Sequence, residues 1–211
     1  MSSTKPTVWQ LLVRGLFDEN PIFRLALSLC PGVAVTTSVK NGLLLGAGVL
    51  AVQTLSSASA SLLKNWINSK IRVPLFIFII ACWVSVIDMG LAAYFPAVYA
   101  EIGLYVKLIV AFAIIISRME LFASKNPVTV SALDGFGMGL GFILAMVLTG
   151  AARELLGNGT VMGYTVLPFK PLLLAVLPAG GFFMIGLMMA LFNWIDVLRG
   201  KKLSSGGGHH G

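Results

Sequence analysis

Six apolar runs dominate this chain, at about 22–39, 42–63, 73–95, 102–122, 133–156 and 172–195. Each is near the ~20 residues that a helix needs to cross the hydrocarbon core of a bilayer. Of the 211 residues, 57% are hydrophobic and 11% are charged, whereas soluble domains average about 25% charged residues. No soluble fold could bury so much apolar surface. The expected class is an all-α integral membrane protein with six transmembrane helices.

The connections between runs are short: 65–72 after the second, 124–130 after the fourth and 157–171, the longest, after the fifth. Residues 8–17 read as a short amphipathic segment lying on the membrane face rather than as a cleavable signal sequence, because no continuous apolar core is followed by small residues. The tail 199–211 is polar and reads as a flexible extension, on which the adjacent His209 and His210 would not fix the geometry of a metal site.

Charge placement sets orientation. Ten basic residues (Lys5, Arg14, Arg24, Lys64, Lys70, Arg72, Lys125, Arg199, Lys201 and Lys202) fall on one side, against Lys40, Lys107 and Lys170 on the other. The positive-inside bias puts both termini in the cytoplasm. The net charge of +7 is thus a matter of topology, not of nucleic-acid binding.

The two halves repeat. Asn41-Gly42-Leu43-Leu44-Leu45-Gly46-Ala47-Gly48 aligns with Asp134-Gly135-Phe136-Gly137-Met138-Gly139-Leu140-Gly141 at an offset of 93. The same register pairs Leu55 with Leu148, Ala58 with Ala151, Leu62-Leu63 with Leu155-Leu156 and Asn65 with Asn158. Three spans per half is an odd number, so the halves enter the membrane in opposite senses. The expected architecture is one polytopic domain over 1–211, built from two inverted three-helix repeats at about 20–97 and 102–197. The first helix of each half is open to a break at mid-membrane. Functional sites of inverted repeats lie near the midplane between the halves. The glycines at four-residue spacing suit close helix packing. They are not a nucleotide fingerprint, since no strand precedes them.

The first run contains Cys30-Pro31-Gly32. Proline lacks an N–H and clashes with the carbonyl four residues back. One reading is a helix broken at Cys30, tolerated only where protein or a cavity satisfies the freed backbone. The other is a kinked helix with a buried cysteine packed as a small hydrophobe. Cys82, within the third run, reads as a core residue. The ionisable residues in or beside the runs are Asp88, Lys107, Arg118, Glu120, Asp134, Arg153 and Glu154. Such groups are costly in lipid and are either paired or functional. Arg118 and Glu120, two apart, cannot face each other on one helix, and Arg153 and Glu154 read as interfacial. No hydrolase triad, zinc motif or phosphate loop is present.

Several motifs together resemble a known family. They are Asn20-Pro21, Leu29-Cys30-Pro31, Ala34-Val35-Thr36-Thr37, Ile71-Arg72-Val73-Pro74, Glu120-Leu121-Phe122-Ala123-Ser124-Lys125-Asn126, Arg153-Glu154-Leu155-Leu156-Gly157-Asn158-Gly159-Thr160 and Ala175-Val176-Leu177-Pro178-Ala179-Gly180-Gly181-Phe182. With Ala132-Leu133-Asp134-Gly135-Phe136-Gly137-Met138-Gly139 they resemble the E subunit of Rnf-type electron-transport complexes over nearly all of residues 15–196. The D subunit of the sodium-translocating NADH:quinone reductase is similar but fits the end of the chain less well.

The resemblance implies a multi-pass component of the bacterial cytoplasmic membrane, inactive alone. Its complex would move electrons between ferredoxin and NAD, coupled to Na+ or H+ transport. Implied partners are the A, B, C, D and G subunits of the Rnf complex, most directly the homologous A subunit, together with membrane lipid and no nucleic acid. The implied cofactor is an intersubunit [2Fe–2S] cluster, to which the E and A subunits each give two cysteines, one per half. Cys30 matches the first ligand. The second belongs five residues before Arg118, where this chain has Ala113, which cannot ligate iron, and Ser117 replaces a family glycine. A redox subunit using Cys30, a non-redox scaffold shaping the ion path, and an unrelated inverted-repeat transporter are the functional readings in view.

Overall fold

The computed structural model of the chain describes residues 15, 20–36, 38–64, 66, 71–158, 160–161, 164–165 and 177–198. The amphipathic segment (apart from Gly15), the tail, Lys170 and the start of the sixth run lie outside these. The described elements are α1 (Leu29–Ala34), α2 (Val39–Leu63), α3 (Arg72–Tyr94), α4 (Pro96–Leu108), a 3-10 turn (Ile109–Ala111), α5 (Ala113–Arg118), a π turn (Met119–Ala123), α6 (Val128–Asn158) and α7 (Pro178–Leu198). A two-residue antiparallel ladder pairs Thr160–Val161 with Tyr164–Thr165 in the longest connection.

The protein is an all-α membrane protein. Among the described residues five helical stretches are long and apolar enough to cross a bilayer: Val39–Leu63, Arg72–Tyr94, Pro96–Ala123, Val128–Gly157 and Pro178–Ile195. The first apolar run is not one continuous span: residues 21–25 form turns, 26–28 are irregular, and helix begins only at Leu29. Nor does the interruption fall at Pro31. Pro31 sits in the first turn of α1, where a missing N–H costs nothing, since first-turn amides have no partner within the helix.

α2 and α6 form the centre as an antiparallel pair, with α3 against α2, α4 against α3, and α7 against both α6 and α1. Glycines set the closeness of the central crossing. A methyl group on Gly46 would lie 2.8 Å from Ile143 Cγ1, and one on Gly139 would lie 2.8 Å from Leu50 Cα. Gly42 likewise meets the backbone of Met146, and Gly135 meets that of Gln53. These contacts form two matched sets. Gly42 and Gly135 are 93 apart, as are their neighbours Gln53 and Met146; Gly46 and Gly139 are 93 apart, as are Leu50 and Ile143. Exchanging α2 and α6 at the offset read from the sequence maps the crossing onto itself, as a local two-fold axis requires. Without a hydrophobic drive between helices in lipid, such close backbone packing is a main source of cohesion.

One end of the bundle gathers basic residues. Lys64 Nζ and Ser61 Oγ both donate to Asn126 O, at 2.8 and 2.6 Å, and Arg72 reaches Glu120 at 3.7 Å. The end of α2, the start of α3 and the α5–α6 connection therefore share one face. The outer surfaces of α3 and α7 are apolar and open, with Phe78, Val86 and Met89 on α3 and Phe183 and Leu187 on α7 exposed. Cys82 belongs to this outer surface, not to the core. An apolar residue facing lipid and one facing protein have the same sequence character.

Candidate functional site

Two interruptions of helix meet at the level of the middle of α6. The first begins at Asn20, which is fully buried. Its Oδ1 accepts the N–H groups of Ile22 and Phe23, each at 3.1 Å, and its Nδ2 donates to Gly141 O at 3.1 Å. One side chain thus closes a turn and pins it to α6. Leu27 N donates to Pro21 O at 2.9 Å. The chain then passes through Ala26 and Ser28 at φ 50° and 58°, a left-handed conformation that non-glycine residues rarely adopt. It enters α1 only at Leu29. Asn20→Ala would strand two buried N–H groups and release the tie to α6, with an expected stability loss of about 2 kcal/mol, read as a lower thermal midpoint of the purified complex.

The second interruption is at Phe112, whose extended backbone (φ −71°, ψ 117°) separates the 3-10 turn from α5. Phe112 stands 6.4 Å from Phe142, between ring centroids, which places the break near the midpoint of α6. The breaks touch: Ile114 N, a first-turn amide of α5, donates to Ser28 Oγ at 3.3 Å. A cavity of about 250 Å3 opens beside them, lined by Cys30, Pro31 and Ala34 from α1 and by Tyr105, Leu108 and Phe112 from the other side. Cys30 is exposed at this outer face, so it is not a packed core thiol, and it sits on the six-residue α1 rather than on a continuous spanning helix. Ala113 is also exposed, at the second break.

α6 holds both interrupted segments through arginines. Arg118, the last residue of α5, donates from Nε to Asp134 Oδ2 at 3.0 Å and from Nη2 to Asp134 Oδ1. Both residues are buried, and the Arg118 guanidinium also lies over the Phe122 ring at 5.3 Å. Glu120 turns away toward Arg72. Arg153 and Glu154, near the end of α6, are both buried against neighbouring elements. Glu154 Oε2 accepts the N–H of Val39 at 3.1 Å, placing a carboxylate on the positive end of the 25-residue helix α2. Arg153 reaches the end of α1, donating from Nη1 to Val33 O at 2.6 Å and to Thr36 Oγ1 at 2.9 Å. Sequence spacing could not reveal these roles, since the partners lie 115 to 120 residues apart.

As a ligand set, the site supplies one sulfur. Ala113 has no donor atom, and among the described residues no group of three or more His, Cys, Asp or Glu side chains converges. A [2Fe–2S] cluster drawing two thiolates from this chain does not fit these residues.

Residues 8–189 match the family described as Rnf-Nqr subunit, membrane protein. The chain belongs to this Rnf-Nqr family. Rnf-Nqr relatives include the E subunit of the proton-translocating ferredoxin:NAD(+) oxidoreductase complex of Clostridium ljungdahlii, 46% identical over 87% of each chain. The E subunit of the Na(+)-translocating ferredoxin:NAD(+) oxidoreductase complex of Acetobacterium woodii is 42% identical, over 87% of this chain and 94% of the relative. The E subunit of the ion-translocating oxidoreductase complex of Paramagnetospirillum magneticum is 34% identical, over 95% and 96%. In this Rnf-Nqr chain the paired breaks, with Cys30 at their open side, are the candidate functional site.

Proposed function

We propose that the chain is the E subunit of an ion-translocating ferredoxin:NAD(+) oxidoreductase complex in the bacterial cytoplasmic membrane. Both termini would be cytoplasmic, and two inverted repeats at about 20–97 and 102–197 would flank the paired breaks. Its nearest partner would be the homologous A subunit, docked over the open cavity, with the B, C, D and G subunits completing the complex. The observation that carries this reading is the contact between the two breaks, with the Cys30 thiol exposed where a neighbouring protein can reach it. An iron–sulfur cluster shared across that interface would take a single thiolate from this chain, at Cys30, with its other ligands supplied from elsewhere.

Ala113 favours a second reading, a non-redox scaffold of the same complex that packs the homologous partner and shapes the ion path. Cys30→Ser in the purified complex separates the two. The redox reading expects loss of an iron–sulfur EPR signal and of ferredoxin-linked NAD reduction, in a complex that still assembles. An unchanged signal and rate would leave the scaffold.

A further inference from the structure

α1 is only six residues long, far below the length at which a helix holds itself together. It is preceded by the left-handed residues Ala26 and Ser28 and followed by the bend before α2. Its place is therefore set by whatever satisfies its ends. Three carbonyls of its final turns have identified partners. Pro31 O accepts from Val35 N at 3.0 Å, Gly32 O accepts from Thr36 Oγ1, and Val33 O accepts from Arg153 Nη1 at 2.6 Å. Arg153 also donates to Thr36 Oγ1 at 2.9 Å and, from Nη2, to Leu177 O at 3.4 Å, just before α7. One guanidinium thus joins the end of α1, the bend after it and the start of α7. A cation is well placed at a helix C-terminus, where carbonyls point outward unpaired.

A second observation points the same way. A methyl group on Gly181 would lie 3.0 Å from Arg153 Cζ and 3.1 Å from Val33 Cγ1. The glycine in the first turn of α7 leaves the space that the guanidinium fills.

We infer that Arg153 is a positioning residue for Cys30, clamping the short helix that carries this thiol to α6 and to the start of α7. The clamp does not depend on the cysteine's chemistry; its consequence for a cluster ligand rests on the proposed function. The test uses the full assembled complex, with hydrogen exchange followed by mass spectrometry. Arg153→Met should speed exchange of the 32–38 amides by about tenfold or more, while mid-α3 stays unchanged. Arg153→Lys, which keeps a charge but lacks the fork, should recover part of the protection. Thr36→Val and Gly181→Ala disturb the clamp without removing the charge, so they serve if Arg153→Met does not assemble; each should give a smaller rise over the same residues. In the redox reading, Arg153→Lys should also alter the shape of the cluster's EPR signal. Unchanged exchange at 32–38 in the assembled variants, or a rise spread evenly over the chain, would overturn the clamp. Loss of the EPR effect alone, with the local exchange change intact, would strike only the link to the cluster.

Discussion

Asp134→Ala is expected to remove most of the folded protein from the membrane. The substitution leaves the buried Arg118 guanidinium without the carboxylate that takes two of its N–H groups. Removing one partner of a buried ion pair typically costs about 3–5 kcal/mol, because the remaining charge stays desolvated. That is a large share of the roughly 5–15 kcal/mol by which proteins are usually stable. The pair also joins the last residue of α5 to α6, so its loss frees the segment that starts at the Phe112 break. The double change Arg118→Met with Asp134→Leu removes both charges and keeps apolar bulk at both positions. It should recover most of the yield, since paired buried charges are often replaceable by hydrophobes at little cost. Yield after detergent extraction and the thermal midpoint of the purified complex give the comparison. A single Asp134→Ala variant as stable as the parent would show that the ion pair does not hold α5.

The second large effect is expected at the central crossing, and it differs between two glycines that the repeat makes equivalent. In Gly139→Ala the new methyl meets Leu50 Cα at 2.8 Å, a backbone atom that moves only if the whole of α2 moves. In Gly46→Ala the nearest atom is Ile143 Cγ1, also at 2.8 Å but on a side chain that can turn, with Ile143 Cα at 3.3 Å. Overpacking costs about 1–3 kcal/mol, and Gly139→Ala should fall at the upper end of that range. Gly46→Ala should cost less than about 1 kcal/mol if Ile143 finds another staggered rotamer. Thermal unfolding of the two variants in the same detergent decides the matter. Equal losses would mean that the helices separate as rigid rods in both.

The glycine repeat and its suitability for close helix packing were legible in the order of residues, whereas the pairing of α2 with α6 came from the fold. An offset of 93 between like sequences, read without coordinates, is the same offset that exchanges the contacts of Gly42 and Gly46 with those of Gly135 and Gly139. Glycine spacing is local information, and close helix packing in lipid has few other solutions. The membrane class, the long apolar helices and the family likewise follow from runs and motifs that each lie within a few dozen residues.

What the residue order left open was where the first run breaks and what that break touches. Cys30-Pro31-Gly32 drew attention to Pro31, yet the chain turns at 26–28, because Asn20 binds Gly141 O and Ser28 meets Ile114 N. Arg153 and Glu154 sit near the end of an apolar run, and nothing in that position says that they bind Val33 O and Val39 N. Cys82 faces outward on α3 rather than inward, a distinction that hydropathy does not carry. In a membrane every buried N–H, carbonyl and charge needs a partner. Apolar length reveals that the need exists, whereas the identity of a partner more than a hundred residues away is settled only when the helices pack.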